Sequence, residues 1–410
     1  MKKTISLAIG LFLFFNGTLL AGEGPSAEVS ETLSQDKKND KLYDGIGLGP
    51  EKLWRISPGF EHSTVFDSNV NREPRDHANH DVIMHFIPSV ALSRIGSNFG
   101  ILSDYEMDYQ LYLRDSDQSS FNHRLNHKMW YKSDRLTAKV SEKFGWVKTY
   151  ATTEQSERRT VIFNELNPEV IYRLTSKTSA SAIYRNYLFH YKDSILRANS
   201  YVQNDIGGRV YYHATAKTDL FVQGSAIFTD YYESGPFDSN GFGVYGGAIG
   251  EVTDKILLTL KTGFEGREYD NKSINSFYNW VGEGALRYRL TSKTDATLMA
   301  KRGIEESVYQ NTGWYEFNRV GLNFQYHVTH NIIAELGGSF QNNQYPRETA
   351  EGLVLKKRKD NLAIAETKLI WEPLHNLSLG LGYTLSNRIS NFDEYDYIDH
   401  MAEASVSYKI

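Results

Sequence analysis

From about Leu53 to Ile410, apolar and polar residues alternate in one segment after another. The clearest segment is Phe99 to Arg114. Phe99, Ile101, Tyr105, Met107, Tyr109, Leu111 and Leu113 fall on one side, and Asp104, Glu106, Asp108, Gln110 and Arg114 on the other. A period of two is the mark of a strand with one apolar and one wet face. Here the apolar face is aromatic, the wet face is densely charged, and no helical segment is available to cover the apolar side. The pattern predicts an all-β chain, a transmembrane antiparallel up-and-down β-barrel with water inside.

Two kinds of connection take turns along the chain. Short turns repeat a motif, as in Tyr172-Arg173-Leu174-Thr175-Ser176-Lys177-Thr178 and Tyr288-Arg289-Leu290-Thr291-Ser292-Lys293-Thr294. Looser copies follow Tyr212, Gly250 and Tyr326, and Trp371-Glu372-Pro373 fits the same slot. Between residues 174 and 328 these turns recur every 38 to 40 residues, a unit of one hairpin. Longer polar connections lie near 67–81, 114–121, 148–160, 191–197, 233–239, 269–275, 306–313, 345–360 and 391–397. Nine long loops and eight short turns give about 18 strands (16–18), with short turns on the periplasmic side and long loops outside. The last strand, Ala404 to Ile410, alternates to the final residue. It resembles the C-terminal signal read by the barrel-assembly machinery, which is thereby an expected partner.

The alternation assigns two faces. Met84, Phe86, Val90 and Leu92, then Leu220, Val222, Ala226 and Phe228, then Leu377, Leu379, Leu381, Tyr383 and Leu385 are expected to meet lipid. Candidates for the lumen wall are Asp104, Glu106 and Asp108; Asp205 and Arg209; Lys261, Glu265 and Arg267; Glu283, Arg287 and Arg289; and Arg388. Asp104, Glu106 and Asp108 form an acidic ladder, read as pairing across the lumen with Arg287 and Arg289. The plainer reading is a wet wall with internal salt bridges, and the sharper one a charge-selective pore. The segment 178–190 alternates poorly. Glycines within strands, such as Gly243 and Gly247, suit barrel curvature; a flat track for a sugar is the more specific reading.

Composition refines this picture. The charged fraction of 23% looks soluble, as expected when only every second residue meets lipid. Tyr (27) and Phe (21) are abundant, and tyrosine suits membrane interfaces because its ring is apolar and its tip polar. Lys2, Lys3, the apolar run Ile5–Phe15 and Ala21 read as a signal peptide over residues 1–21. Residues 22–50 are polar and read as a disordered periplasmic tail, with the barrel over 51–410. An exported chain without a helical span enters a membrane only as a closed barrel. The expected location is the outer membrane of a Gram-negative bacterium, with its lipid as a partner.

The chain has no Cys, so disulfides, thiol catalysis and Cys-ligated zinc are excluded. A net charge of −5 argues against a nucleic-acid partner. Asp76-His77-Ala78-Asn79-His80-Asp81 holds metal-ligand residue types, but a closed site needs three or four at fixed geometry, and a solvated loop is the simpler account. The histidines are scattered and no nucleophile-elbow motif appears. No cofactor, metal or enzymatic step is expected.

Pro58-Gly59-Phe60-Glu61, Phe66-Asp67-Ser68-Asn69-Val70, Ile87-Pro88-Ser89-Val90, the strand from Tyr105 to Tyr112 and the tyrosine-led turns at Tyr172 and Tyr288 occur in an order that resembles the type-2 β-barrel porin family. The resemblance covers roughly 55–410. It includes outer-membrane barrels encoded with exopolysaccharide and exosortase systems, and so implies a role near secretion or assembly of surface polysaccharide. It carries no catalytic residue. The function expected is a passive channel or export-associated barrel for polar solutes, polysaccharide among them. The alternative is a structural or adhesive barrel, plugged, with partner-binding outer loops.

Overall fold

The computed structural model describes residues 46–48, 53–150, 153–154, 157–232, 237–307, 313–351 and 354–410. After a short β1 (Ile46–Leu48) come eighteen antiparallel strands: β2 (Trp54–Asp67), β3 (Asp81–Ile95), β4 (Phe99–Tyr112), β5 (Ser120–Lys132), β6 (Leu136–Thr149), β7 (Arg159–Arg173), β8 (Thr178–Tyr191), β9 (Tyr201–His213), β10 (Thr218–Tyr231), β11 (Ser239–Thr253), β12 (Ile256–Tyr269), β13 (Phe277–Arg289), β14 (Thr294–Glu306), β15 (Trp314–His327), β16 (Ile332–Glu351), β17 (Val354–Leu374), β18 (Leu377–Ser390) and β19 (Tyr397–Lys409). Each pairs with the next in sequence, and β19 pairs back on β2 through Lys409–Gly59 to Met401–Asp67. The result is a closed 18-stranded barrel with no free edge, the arrangement that satisfies every ladder without water.

Two expectations need correction. The span 22–50, expected to be a disordered tail, holds β1, which pairs with Trp54–Ile56. That stretch of β2 lies beyond the reach of β19, so its edge would otherwise be bare. The rest of 1–50 lies outside the described residues, so the signal peptide and the remainder of the tail do too. The loop expected over 345–360 is instead the tip of a hairpin, because β16 and β17 continue their pairing out to Glu351–Val354 after a bulge between Gln344 and Glu348.

The register separates two faces throughout. On β10, Leu220, Val222 and Phe228 are exposed outward, whereas Phe221, Gln223 and Thr229 are buried inward. The tyrosines of the repeated turns have a shared position. Tyr172, Tyr212 and Tyr326, with Trp371 and Tyr408, face outward at the periplasmic ends of their strands. An apolar ring with a polar tip is stabilised at that depth. The space beside two strand glycines is taken by neighbouring rings: a Cβ on Gly243 would lie 2.0 Å from the Tyr245 hydroxyl, and one on Gly247 2.4 Å from Phe221. Both make room for inward aromatics.

Two seams stand out. At the closure, Asp67-Ser68-Asn69 stitches the first long loop to β19. The Asn69 N–H donates to Asp67 Oδ1 (2.9 Å) and Asp399 Oδ1 (3.2 Å). Its Nδ2 donates to the carbonyls of Glu73 (2.7 Å) and Ile398 (3.1 Å), and its Oδ1 accepts from the Glu73 N–H (3.0 Å). Ser68 Oγ donates to Asp399 (3.2 Å). Between β13 and β14, ladder pairing stops at Gly282–Arg302. There side chains replace the ladder: Asn279 Oδ1 accepts the Trp280 N–H (2.9 Å), and Arg302 Nε donates to the Trp280 carbonyl (3.2 Å). Glu316 holds Arg302 at 2.7 Å and accepts from Asn279 (2.9 Å). Polar backbone at membrane depth is tolerated only with such substitutes.

Asn69→Ala would strip two part-buried carbonyls of a donor and leave the Glu73 N–H without its acceptor. We expect it to destabilise the folded barrel by about 2–3 kcal/mol, against about 1 kcal/mol for Ser68→Ala. The check is the temperature at which the unheated, SDS-resistant band converts to the unfolded one.

Candidate functional site: the outer mouth of the barrel

Strand pairing places all twelve lumen candidates on the inward face, and most pair locally. Asp108 Oδ1 lies 3.0 Å from His85 Nδ1, and its Oδ2 accepts from Gln110 (2.7 Å). Glu106 meets Arg124 (3.6 Å) and Asp104 accepts from Asn126 (2.7 Å). Asp205 meets Arg185 (3.4 Å), while Arg209 donates to Gln223 (2.6 Å) and Tyr211 (2.8 Å). Lys261 faces Glu283 (3.9 Å), and Arg267 reaches Glu265 (3.7 Å) and Glu306. Arg287 (3.2 Å) and Arg289 (3.8 Å) share Asp295. The acidic ladder of β4 therefore pairs with neighbours on β3 and β5, and not with Arg287 and Arg289 across the lumen. Those arginines have a nearer partner on the adjoining strand.

Arg388 is different. Its Nη1 donates to the carbonyl of Thr153 at 2.9 Å, and its Nε to the carbonyl of Tyr395 at 2.5 Å. Thr153 belongs to the connection between β6 and β7. In a ring of eighteen strands, β7 lies opposite β16. Thr153 Oγ1 nonetheless accepts from Asn343 on β16 (2.9 Å) and lies 3.1 Å from the Tyr315 hydroxyl on β15 and 3.4 Å from Gln341 on β16. Glu154 accepts from Ser307 (2.8 Å). Thr153 and Glu154 of the β6–β7 connection thus dock on the far wall at the outer rim.

Around the docked loop runs a band of alternating arginine and tyrosine. Arg158 lies over Tyr112 (5.2 Å) and Tyr150 (5.3 Å); Arg72 covers the other ring contact of Tyr150 (3.7 Å) and reaches Tyr397 (5.5 Å). Arg388 continues it over Tyr397 (4.7 Å), and Arg358 over Tyr395 (3.5 Å) and Tyr345 (4.9 Å). Cation–π contact holds a guanidinium without neutralising it. Arg358 is also paired to Asp360 (2.7 Å). Arg72, Arg158 and Arg388 form no ion pair with a carboxylate among the described residues, and each keeps one buried guanidinium nitrogen without a hydrogen-bond partner. Burial pulls Arg158 down to about 10, with Arg72 adding to the effect, so it still carries its charge at neutral pH. Burial lifts the Tyr150 phenol well above its ordinary range, so it remains a donor to the Val70 carbonyl (2.5 Å).

Beside this band, a cavity of about 560 Å³ opens among the outer loops, lined by Glu73, Lys148, Arg158, Arg159, Lys192 and Asp193. Among the described residues no group of three His, Asp or Glu is arranged to hold a metal ion. Of the mouth residues, the alternation pattern singled out Arg388 alone. Arg72, Tyr150, Thr153 and Arg158 lie in loops, where no periodicity marks them; the only hint was arginine and tyrosine recurring in otherwise polar connections.

A family model described as "Putative beta-barrel porin 2" matches residues 45–410. No curated protein matches the chain. Among solved structures, the outer membrane protein OpdK from Pseudomonas aeruginosa is similar at a TM-score of 0.45 and 10% identity, covering 87% of this chain and 98% of that one. Pseudomonas aeruginosa OccK2 (OpdF) in complex with glucuronate is similar at 0.45 and 10% identity, covering 90% and 99%. OpdQ from the same organism is similar at 0.45 and 11%, covering 87% and 97%.

The pKa of Arg158 gives a signed expectation. Its charge is present below about 10 and lost as pH rises through that value. Any anion preference at the mouth should step down there, by an increment that Arg158→Gln lacks, measured as reversal potential under a salt gradient.

Proposed function

The chain belongs to the family described as "Putative beta-barrel porin 2", and from that membership we propose that it is an outer-membrane channel passing small polar solutes, anions preferred. The observation that carries this reading is the mouth itself: three guanidiniums without ion-pair partners, beside a loop that narrows the bore by docking across it. Fixed cations at a constriction raise the local concentration of anions and slow cations. The remaining wall is mixed in charge and rich in amide and hydroxyl groups, which replace a solute's hydration shell without binding it tightly. No chemical step is assigned, in keeping with a porin. A surface polysaccharide fits the same hydrogen-bonding wall, but its passage as a polymer requires the loop around Thr153 to withdraw.

Purified protein in planar bilayers should give discrete conductance steps with an anion-favouring reversal potential. Absence of conductance would overturn the reading in favour of a plugged barrel. Arg388→Ala removes a charged donor to the loop backbone, loosening docking by about 2 kcal/mol and raising the undocked population roughly thirtyfold. We expect larger, noisier steps with weaker anion preference.

A further inference from the structure

The outward face of the barrel carries a continuous run of polar side chains on one side. On β4 to β9 the lipid-facing positions include Ser103, His123, His127, Glu142, Asn164, Tyr184, Asn186 and Asn204, on six consecutive strands. Glu142 is the extreme case. It stands between Ala138, Val140, Phe144 and Trp146 on the outward side of β6, whose alternate residues Lys139, Lys143 and Val147 face in. It is six residues from the periplasmic end of its strand, roughly 20 Å along the chain, beyond the reach of headgroups. The other charged outward side chains lie nearer strand ends, and the deepest of them, Arg302, is ion-paired with Glu316 at 2.7 Å. Glu142 has no hydrogen bond or ion pair among the described residues, and neither has His127, its direct cross-strand neighbour. The side-chain oxygen of Asn164 is buried and unpartnered as well.

An unpaired carboxylate does not persist against hydrocarbon without a partner. At this depth neither water nor a lipid headgroup supplies one, and an acyl chain offers no donor. We propose that the outer face of β4–β9 is the interface through which two copies of this chain pack side by side in the membrane. The charge pattern selects a second copy: acid and imidazole lie side by side, so a two-fold axis between them sets each Glu142 against His127 of the partner subunit. Asn186, whose Nδ2 donates to Asn204 at 2.9 Å, and Tyr184, whose hydroxyl donates to the same oxygen at 2.7 Å, form a polar platform beside that pair. This also accounts for the poor alternation of β8. The inference stands apart from the channel reading, since a plugged barrel would pair in the same way.

The chain has no native Cys, so single cysteines report proximity cleanly. In native outer membranes under mild oxidation, Leu125→Cys on the proposed face should give a disulfide-linked dimer, and Leu322→Cys on β15 should not. Native mass spectrometry of the detergent-purified protein should show a dimer, lost in Glu142→Leu and partly kept in Glu142→Gln. Heat-modifiable migration should be unchanged in both variants, separating loss of pairing from loss of fold. The proposal is overturned by a monomeric wild type without cross-linking at Leu125, by a dimer that Glu142→Leu leaves intact, or by a cross-link to a chain of different mass.

Discussion

A chain that crosses hydrocarbon must pair every backbone amide and carbonyl within itself. Everything else in this molecule follows from meeting that demand with strands. Strands that leave no edge must close, so β19 returns to β2, and β1 covers the few residues of β2 that β19 does not reach. Where the ladder lapses, between β13 and β14, Asn279 and Arg302 take over the bonds of Trp280. The Asp67-Ser68-Asn69 stitch plays the same part at the rim, fastening the first loop to the last strand.

Closure then divides the side chains. One half meets lipid and is apolar, with tyrosines at the periplasmic boundary. The other half lines an aqueous space and is free to carry charge, most of it neutralised by adjoining strands. At the outer mouth Arg72, Arg158 and Arg388 are held instead by rings and uncharged acceptors. Much of the charge on the wall is thus met by adjoining strands, and Thr153 of the β6–β7 connection lies against the guanidinium of Arg388 at the mouth.

The sequence made the faces legible because their period is local: the neighbours of Leu220 and Val222 declare their orientation without reference to the rest of the chain. The recurrent tyrosine turns likewise announced strand length and one membrane boundary. The mouth was not legible, since Thr153 meets Asn343 and Arg388 across 190 and 235 residues. No spacing rule links a threonine in a polar loop to an asparagine on the far wall. The acidic ladder was placed on the correct side of its strand but matched to distant arginines, because alternation reports a face and says nothing of the partner. The irregular stretch 178–190 looked like a weak strand; Tyr184 and Asn186 there are outward residues with polar neighbours of their own.

The central claim is that alternate residues of one continuous wall meet water and lipid. Cysteine scanning along β10 in native membranes tests it most directly, using a water-soluble maleimide and a lipid-embedded quencher of the attached label. The account predicts that labels at 221, 223 and 229 react from water and escape quenching, while those at 220, 222 and 228 are shielded from the reagent and quenched. Uniform aqueous reactivity on both sets, with no quenching on either, would contradict it.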